Sequence, residues 1–204
     1  MSKAGLPAAY GDIILARHGR PALSRKCWLS ADQYRDWWAR YDAGGLSEGQ
    51  TPPQSIVETA RNAGVIYAST LRRAQETARA VVQGRDFLTD GVFVEAPLPP
   101  PRFARWFKLP PRLWGVIARI WWHAFNHHDG LESRAEAEAR AERAARMLVE
   151  RAAQSQEQEQ GQDVLVLAHG YFNHMIGQKL LAEGWDLVEN QGFKYWSQRR
   201  FRRT

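Results

Sequence analysis

Four short, nearly continuous apolar runs punctuate a chain that is otherwise polar or amphipathic. They fall at residues 13–16, 65–69, 91–96 and 164–168. Runs without alternating polar positions belong to strands buried on both faces. Between them the period lengthens to that of a helix. In "LSADQYRDWWARYDAGG" Ser30 stands as N-cap, and Gln33 three residues later completes a capping box. Leu29 and Tyr34 are spaced for a hydrophobic staple, and Gly44-Gly45 supplies the stop. Its Tyr34, Trp37, Trp38 and Tyr41 share one face, which reads as core packing in preference to a base-stacking platform.

The second run leads into "LRRAQETARAVV", with Leu71, Ala74, Ala78, Val81 and Val82 on one side. "GVFVEA" is expected to be a third strand ending near Glu95, and "PLPPPRF" after it forbids regular structure because proline has no amide hydrogen to donate. An aromatic helix is expected over 110–126. A long Ala/Glu/Arg helix follows from Ser133, with a capping box to Glu136 and supporting pairs Glu136 with Arg140 and Glu142 with Arg146. A polar connector, "QSQEQEQGQ", leads to the fourth strand and the helix "FNHMIGQKLLAEGW", and "FKYWSQRRF" is expected to add an edge strand. Alternating strands and helices imply an α/β fold, a three-layer α/β/α sandwich with a mostly parallel central sheet.

Composition narrows the picture. A chain of 204 residues suits one domain spanning 1–204, with 97–130 as a cap or substrate-selecting insertion. The single cysteine, Cys27, cannot form an internal disulfide; no apolar run spans a bilayer and no signal peptide is evident, so a cytoplasmic protein without membrane contact is expected. The net charge of +6 favours anionic partners. The basic end "SQRRFRRT" reads as a solvated tail, which makes nucleic acid an unlikely partner and a small phosphorylated molecule the better one. Nine tryptophans could cover the core or a subunit interface, which leaves the oligomeric state open.

"DIILARHG" and "DVLVLAHG" both end a buried strand in His-Gly. Ligands of a parallel sheet gather at the carboxyl ends of its strands, so His18 and His169 converge there if their strands are neighbours. Arg17 precedes His18, and "STLRR" sets Ser69, Arg72 and Arg73 at the next strand-to-helix turn. Guanidinium groups, imidazoles and helix N-termini together suit a phosphoryl dianion. A neutral His18 can attack phosphorus as a nucleophile, with the arginines and His169 stabilising the equatorial oxygens. Glu95 is the carboxyl group placed to protonate the leaving alkoxide, ahead of Asp129 and Glu132 beside helix starts. His123, His127 and His128 resemble metal ligands in spacing, yet neither an H-E-x-x-H glutamate nor a cysteine cluster accompanies them, so no metal is expected.

These residues resemble the histidine phosphatase superfamily, the phosphoglycerate mutase-like fold. "LARHG" is similar to its L-x-R-H-G signature. Ser69, Leu71, Arg73, Ala74, Thr77 and Ala78 match S-x-L-x-R-A-x-x-T-A, and His169 with Gly170 matches the late His-Gly. The resemblance implies a phosphohistidine on His18, with Arg17, Arg73 rather than Arg72, and His169 around the phosphoryl group, Glu95 as proton donor, and no metal or other cofactor. Ser69, Gly170 and Arg20 are further expected phosphate or substrate contacts. Arg20-Pro21 stands where many members carry a small polar pair, and no Asn follows, which disfavours a mutase. The expected activity is a metal-independent phosphomonoesterase, with a mutase or a non-catalytic phosphate- or nucleic-acid-binding protein as alternatives.

Overall fold

The computed structural model describes residues 10–153 and 162–203. Strands β1 (Ile13–Arg17), β2 (Val65–Ser69), β3 (Leu88–Asp90), β4 (Val164–Ala168), β5 (Asp186–Asn190) and β6 (Gln198–Arg202) form one sheet in the order β3-β2-β4-β1-β6-β5. The first four are parallel, and β6 and β5 close the far side antiparallel. Ile13 lies opposite Val164 and Arg17 opposite Ala168, so β1 and β4 end together.

Successive side chains of a strand face opposite ways, and here both ways are buried. Ile13, Leu15, Val164 and Val166 pack against helices α5 (Arg134–Ala153) and α6 (Gly170–Ala182). Ile14, Ala16, Leu165 and Leu167 pack against α2 (Gln54–Asn62) and α3 (Arg72–Val82). Alanines 137, 141, 144 and 145 give α5 a close approach to the sheet, and each fully buried Ile, Leu or Val contributes about 1.5–3 kcal/mol. A third cluster forms where α1 (Ala31–Ala43) meets α4 (Pro111–Phe125) through Tyr34, Trp37, Tyr41 and Trp114. Both capping boxes are present, at Ser30 with Gln33 and at Ser133 with Glu136.

Several expectations are corrected. Residues 91–96 are not a strand: the Asp90 carboxylate accepts the Val92 amide hydrogen at 2.8 Å and nucleates a 3-10 turn at Gly91–Phe93, and pairing with β2 stops at Asp90. Helix α2 was not anticipated, although Ile56, Val57 and Ala60 after Pro52-Pro53 carry its buried face. The strand near the C-terminus is interior, because β5 pairs beyond it. Arg140 turns away from Glu136 to meet Glu132 at 2.6 Å and the carbonyls of Val92 and Val94. The basic end is no solvated tail: Arg200 bridges Asp12 and Asp163 at 2.9 and 2.8 Å, and Arg202 meets Asp12 at 2.7 Å. Residues 1–9 and most of the polar connector lie outside the described residues.

Candidate active site

Parallel pairing of β1 with β4 brings the two His-Gly pairs together. The His18 and His169 rings are 5.2 Å apart between centroids and nearly edge-on, and the His18 amide donates to the Ala168 carbonyl at 3.0 Å. His18 is 2% exposed. Its Nδ1 lies 2.6 Å from the Gly19 carbonyl, which can only accept, so Nδ1 carries the hydrogen. The Nε2 lone pair then faces Arg73, whose Nε–H donates to it at 3.3 Å. Burial, then the charges of Arg73 and Arg17, hold the His18 pKa well below its usual 6.5. His169 is lowered likewise, first by burial and then by Arg73, His18 and Arg17. Both imidazoles are therefore neutral near pH 7, and His169 offers a ring N–H for hydrogen bonding.

Arg73 is 1% exposed and fixed on three sides: Nη1 donates to the Tyr41 carbonyl at 3.1 Å, Nη2 to Asp42 at 3.0 Å, and its plane lies 4.7 Å from the Tyr41 ring centre. Burial raises the Asp42 pKa against the pull of Arg73. Arg17 gives Nη1 to the Phe193 carbonyl and lies over the Tyr195 ring at 4.6 Å. Arg17 Nε and His169 Nδ1 are buried and make no hydrogen bond among the described residues. Buried polar atoms are ordinarily satisfied, so unpaired donors on the two residues that adjoin His18 and Gly170 suit an anion.

The glycines after the histidines admit protein groups. A Cβ at Gly19 would lie 2.4 Å from the Trp196 ring, and one at Gly170 would lie 3.2 Å from Arg17 Nε. Above His18 is a cavity of about 370 Å³ lined by Arg17, Arg73, Glu95, Gly170 and, from α1 and the 191–197 turn, Trp38, Tyr41 and Phe193. Glu95 reaches it from the segment after the 3-10 turn, not from a strand end. Its carboxyl oxygens accept the amide hydrogens of Phe172 at 2.9 Å and Tyr171 at 3.3 Å, capping α6 from a distant part of the chain.

Three expected contacts are absent from the lining residues. His169 is fully buried, and Ser69 Oγ lies 2.9 Å from its Nε2; neither lines the cavity. Arg20 is exposed, with Nε on Ser47 Oγ at 3.0 Å, and does not line the cavity. Arg72 pairs with Glu76 at 2.7 Å on the surface. Sequence reasoning missed Tyr41, Asp42, Arg25 and the 191–197 turn. Only the position of Tyr41 and Asp42 at the end of α1 could have hinted at them. His123, His127 and His128 bond to Tyr171, Pro100 and Leu131 respectively. Among the described residues no group of three or more His, Cys, Asp or Glu is gathered for a metal.

A neutral, oriented imidazole beside the buried Arg73 and the half-buried Arg17 at the carboxyl edge of a parallel sheet defines an α/β protein whose pocket suits an anion. The chain belongs to the histidine phosphatase superfamily (branch 1), whose family model matches residues 13–199. Among solved structures it is similar to the mycobacterial glucosyl-3-phosphoglycerate phosphatase complexed with VO3. That likeness has a TM-score of 0.59 at 20% identity and covers 94% of this chain and 95% of that one. It is also similar to the phosphoserine phosphatase of Entamoeba histolytica in complex with 3-phosphoglyceric acid, with a TM-score of 0.53 at 16% identity over 95% and 98% of the two chains. No curated protein matches. No helix among the described residues is long and apolar enough to cross a membrane.

Proposed function

We propose that the chain is a phosphomonoesterase that works through a phosphohistidine on His18 without a metal ion. The observation that carries this reading is the setting of His18, with Nδ1 2.6 Å from the Gly19 carbonyl and Nε2 3.3 Å from Arg73 Nε inside a cationic pocket. Nε2 attacks phosphorus, the P–O ester bond breaks, and the alkoxide takes a proton from Glu95. The positive charge left on the imidazole is balanced by the electron pair that departs on the alkoxide, while Arg17, Arg73 and the ring N–H of His169 hold the phosphoryl oxygens. Glu95, now a carboxylate, draws a proton from water as the water oxygen attacks phosphorus. The P–N bond breaks, and His18 is neutral again. Tyr41 and Asp42 position Arg73, and Ser69 positions His169. The similarity to phosphatases of phosphorylated small molecules supports the substrate class.

The test is hydrolysis of para-nitrophenyl phosphate in the presence of a chelator, with rapid quench to trap protein-bound phosphate that is labile to acid. Free phosphate and a trapped intermediate that both vanish in His18→Ala are expected. Chelator-sensitive turnover, or turnover surviving in His18→Ala, would overturn the reading. Transfer between two hydroxyls of one substrate without net release would indicate a mutase.

A further inference from the structure

The hollow above His18 does not end at α1. Past Glu95, Leu98, Arg112, Gly115 and Tyr171, which line both parts, it opens into a groove of about 620 Å³ along the outer side of α4. Gly115, Val116, Ile120 and Ala124 form its floor at helical spacing. Val116 and Ile120 are 56% and 51% exposed, an apolar strip standing in water beside a charged pocket. No Ser, Thr, Asn or Gln lines the groove among the described residues. Its polar members stand apart from that strip: Glu95 accepts amide hydrogens of α6, the Tyr171 hydroxyl is tied to His123 Nε2 at 2.5 Å, and Arg119 lies flat on the Tyr171 ring at 3.7 Å with Nη2 on the Ala96 carbonyl. Arg112 and Arg119 Nη1, which has no hydrogen-bond partner among the described residues, are the donors of the lining. Along Val116, Ile120 and Ala124 the hydroxyls of a sugar would find no side-chain partner, and unpaired polar groups weaken binding. Glu95 lines both hollows, so the proposed proton donor stands where the phosphoryl part of a ligand passes into its organic part. That is where an ester oxygen must lie.

We infer that the groove receives the organic group of the substrate, and that the substrate class is a phosphate monoester carrying an apolar alkyl or aryl group laid along α4. This inference rests on the phosphatase reading above. The test compares n-alkyl phosphates from ethyl to octyl, each below its micelle concentration, on the wild-type chain and on Val116→Lys and Ile120→Lys. Both substitutions are at exposed positions, where the fold tolerates charge. For the wild type kcat/KM is expected to rise about two- to fourfold per methylene, the factor that burying a CH2 carries, until the chain outruns the groove. In the lysine variants the rise should flatten, with a loss of about tenfold or more on octyl phosphate and none on ethyl phosphate. Calorimetric binding of the same esters to the inactive His18→Ala chain reads the groove independently of turnover. A matching dependence of Kd on chain length supports the inference even if the chemistry proves different, and its absence there overturns it. Turnover or binding indifferent to chain length, or a slope unchanged by the lysines, also overturns it. So does a change of sedimenting mass in those variants with unchanged kinetics, which would make the strip a contact between copies.

Discussion

Strands β1 and β4 run in register, each beginning at an aspartate and finishing at a histidine, yet their two ends are completed in opposite ways. At the beginning, Asp12 and Asp163 are met by Arg200 and Arg202 of β6, and the Asp12 amide donates to Asp163 at 3.0 Å. Negative and positive groups are matched there and nothing is left to bind. At the finish, Arg17, Arg73 and the His18 imidazole line a cavity, with the buried His169 ring 5.2 Å from His18 between centroids. Asp42 is engaged with Arg73 and Glu95 with the amides of α6, while Arg17 Nε and His169 Nδ1 have no hydrogen-bond partner among the described residues. A satisfied ionic cluster fixes strands, and an unsatisfied one costs stability and waits for a ligand. The same eight-residue pattern therefore leads to matched charges at one end and to unpaired donors at the other.

The sharpest way to break this comparison is to remove the group that the open end serves. His18→Ala is expected to lower kcat/KM on para-nitrophenyl phosphate by roughly ten-thousand-fold or more, the scale seen when a nucleophile is deleted, and to leave a folded protein by thermal melting. If activity fell and cooperative unfolding disappeared as well, the two ends would not be separable. Glu95→Gln tests a smaller part. A general acid contributes roughly a hundred- to ten-thousand-fold, and its loss should weigh more on alkyl phosphates than on para-nitrophenyl phosphate, whose leaving group needs no proton. Equal losses on both esters would assign Glu95 to holding α6.

Much of the open end was legible because it is written in contiguous motifs. Arg17-His18 and His169 sit directly after buried apolar runs, and strands of that kind put their next residues at one edge of a parallel sheet. Glu95 was reached by a wrong route. Its strand is a 3-10 turn, because the Asp90-Gly91 step caps itself locally, and local turn chemistry outweighed the apolar run. The closed end was illegible for a different reason. Arg200 and Arg202 read as a basic tail, and only antiparallel pairing of β6 with β1, a contact across most of the chain, turns them onto Asp12. The arrangement of Tyr41 and Asp42 around Arg73 was likewise a matter of how α1 packs, which no spacing encodes.

The two ends should also answer to pH in different ranges. His18 and His169 have folded pKa values below 6.5, so as pH falls through 6.5 the unfolded chain binds protons that the folded one refuses. Stability then declines by up to about 1.4 kcal/mol per pH unit for each, and His18→Ala should remove one share of that slope in urea titrations between pH 7 and 5. For Asp12, burial alone would raise the pKa, but the hydrogen bonds and charges of Arg202 and Arg200 outweigh it and hold the value below 3.8. Its contribution is fully present above 3.8 and is lost as pH falls through the lower folded value. Asp12→Asn is expected to cost about 2 kcal/mol at pH 7 while kcat/KM of the folded fraction stays as it was. Loss of activity without loss of stability would contradict the division.

The smallest expected effect comes from the arginine that sequence reasoning placed against the substrate. Arg20 follows His18 by two positions, but the chain turns at Gly19, whose amide donates to Thr77 Oγ1 at 3.0 Å, and the Arg20 amide donates to Gln50 at 2.7 Å. These two contacts set the backbone so that the guanidinium meets Ser47 outside the cavity. Arg20→Ala should change stability by no more than about 0.5 kcal/mol, as surface substitutions do, and should leave KM for alkyl phosphates unchanged. A rise in KM confined to substrates with a second acidic group would instead show that Arg20 swings over the cavity when such a substrate binds. The open end would then extend one residue beyond the pocket described here, and the partition between matched and unmatched charge would have to be redrawn.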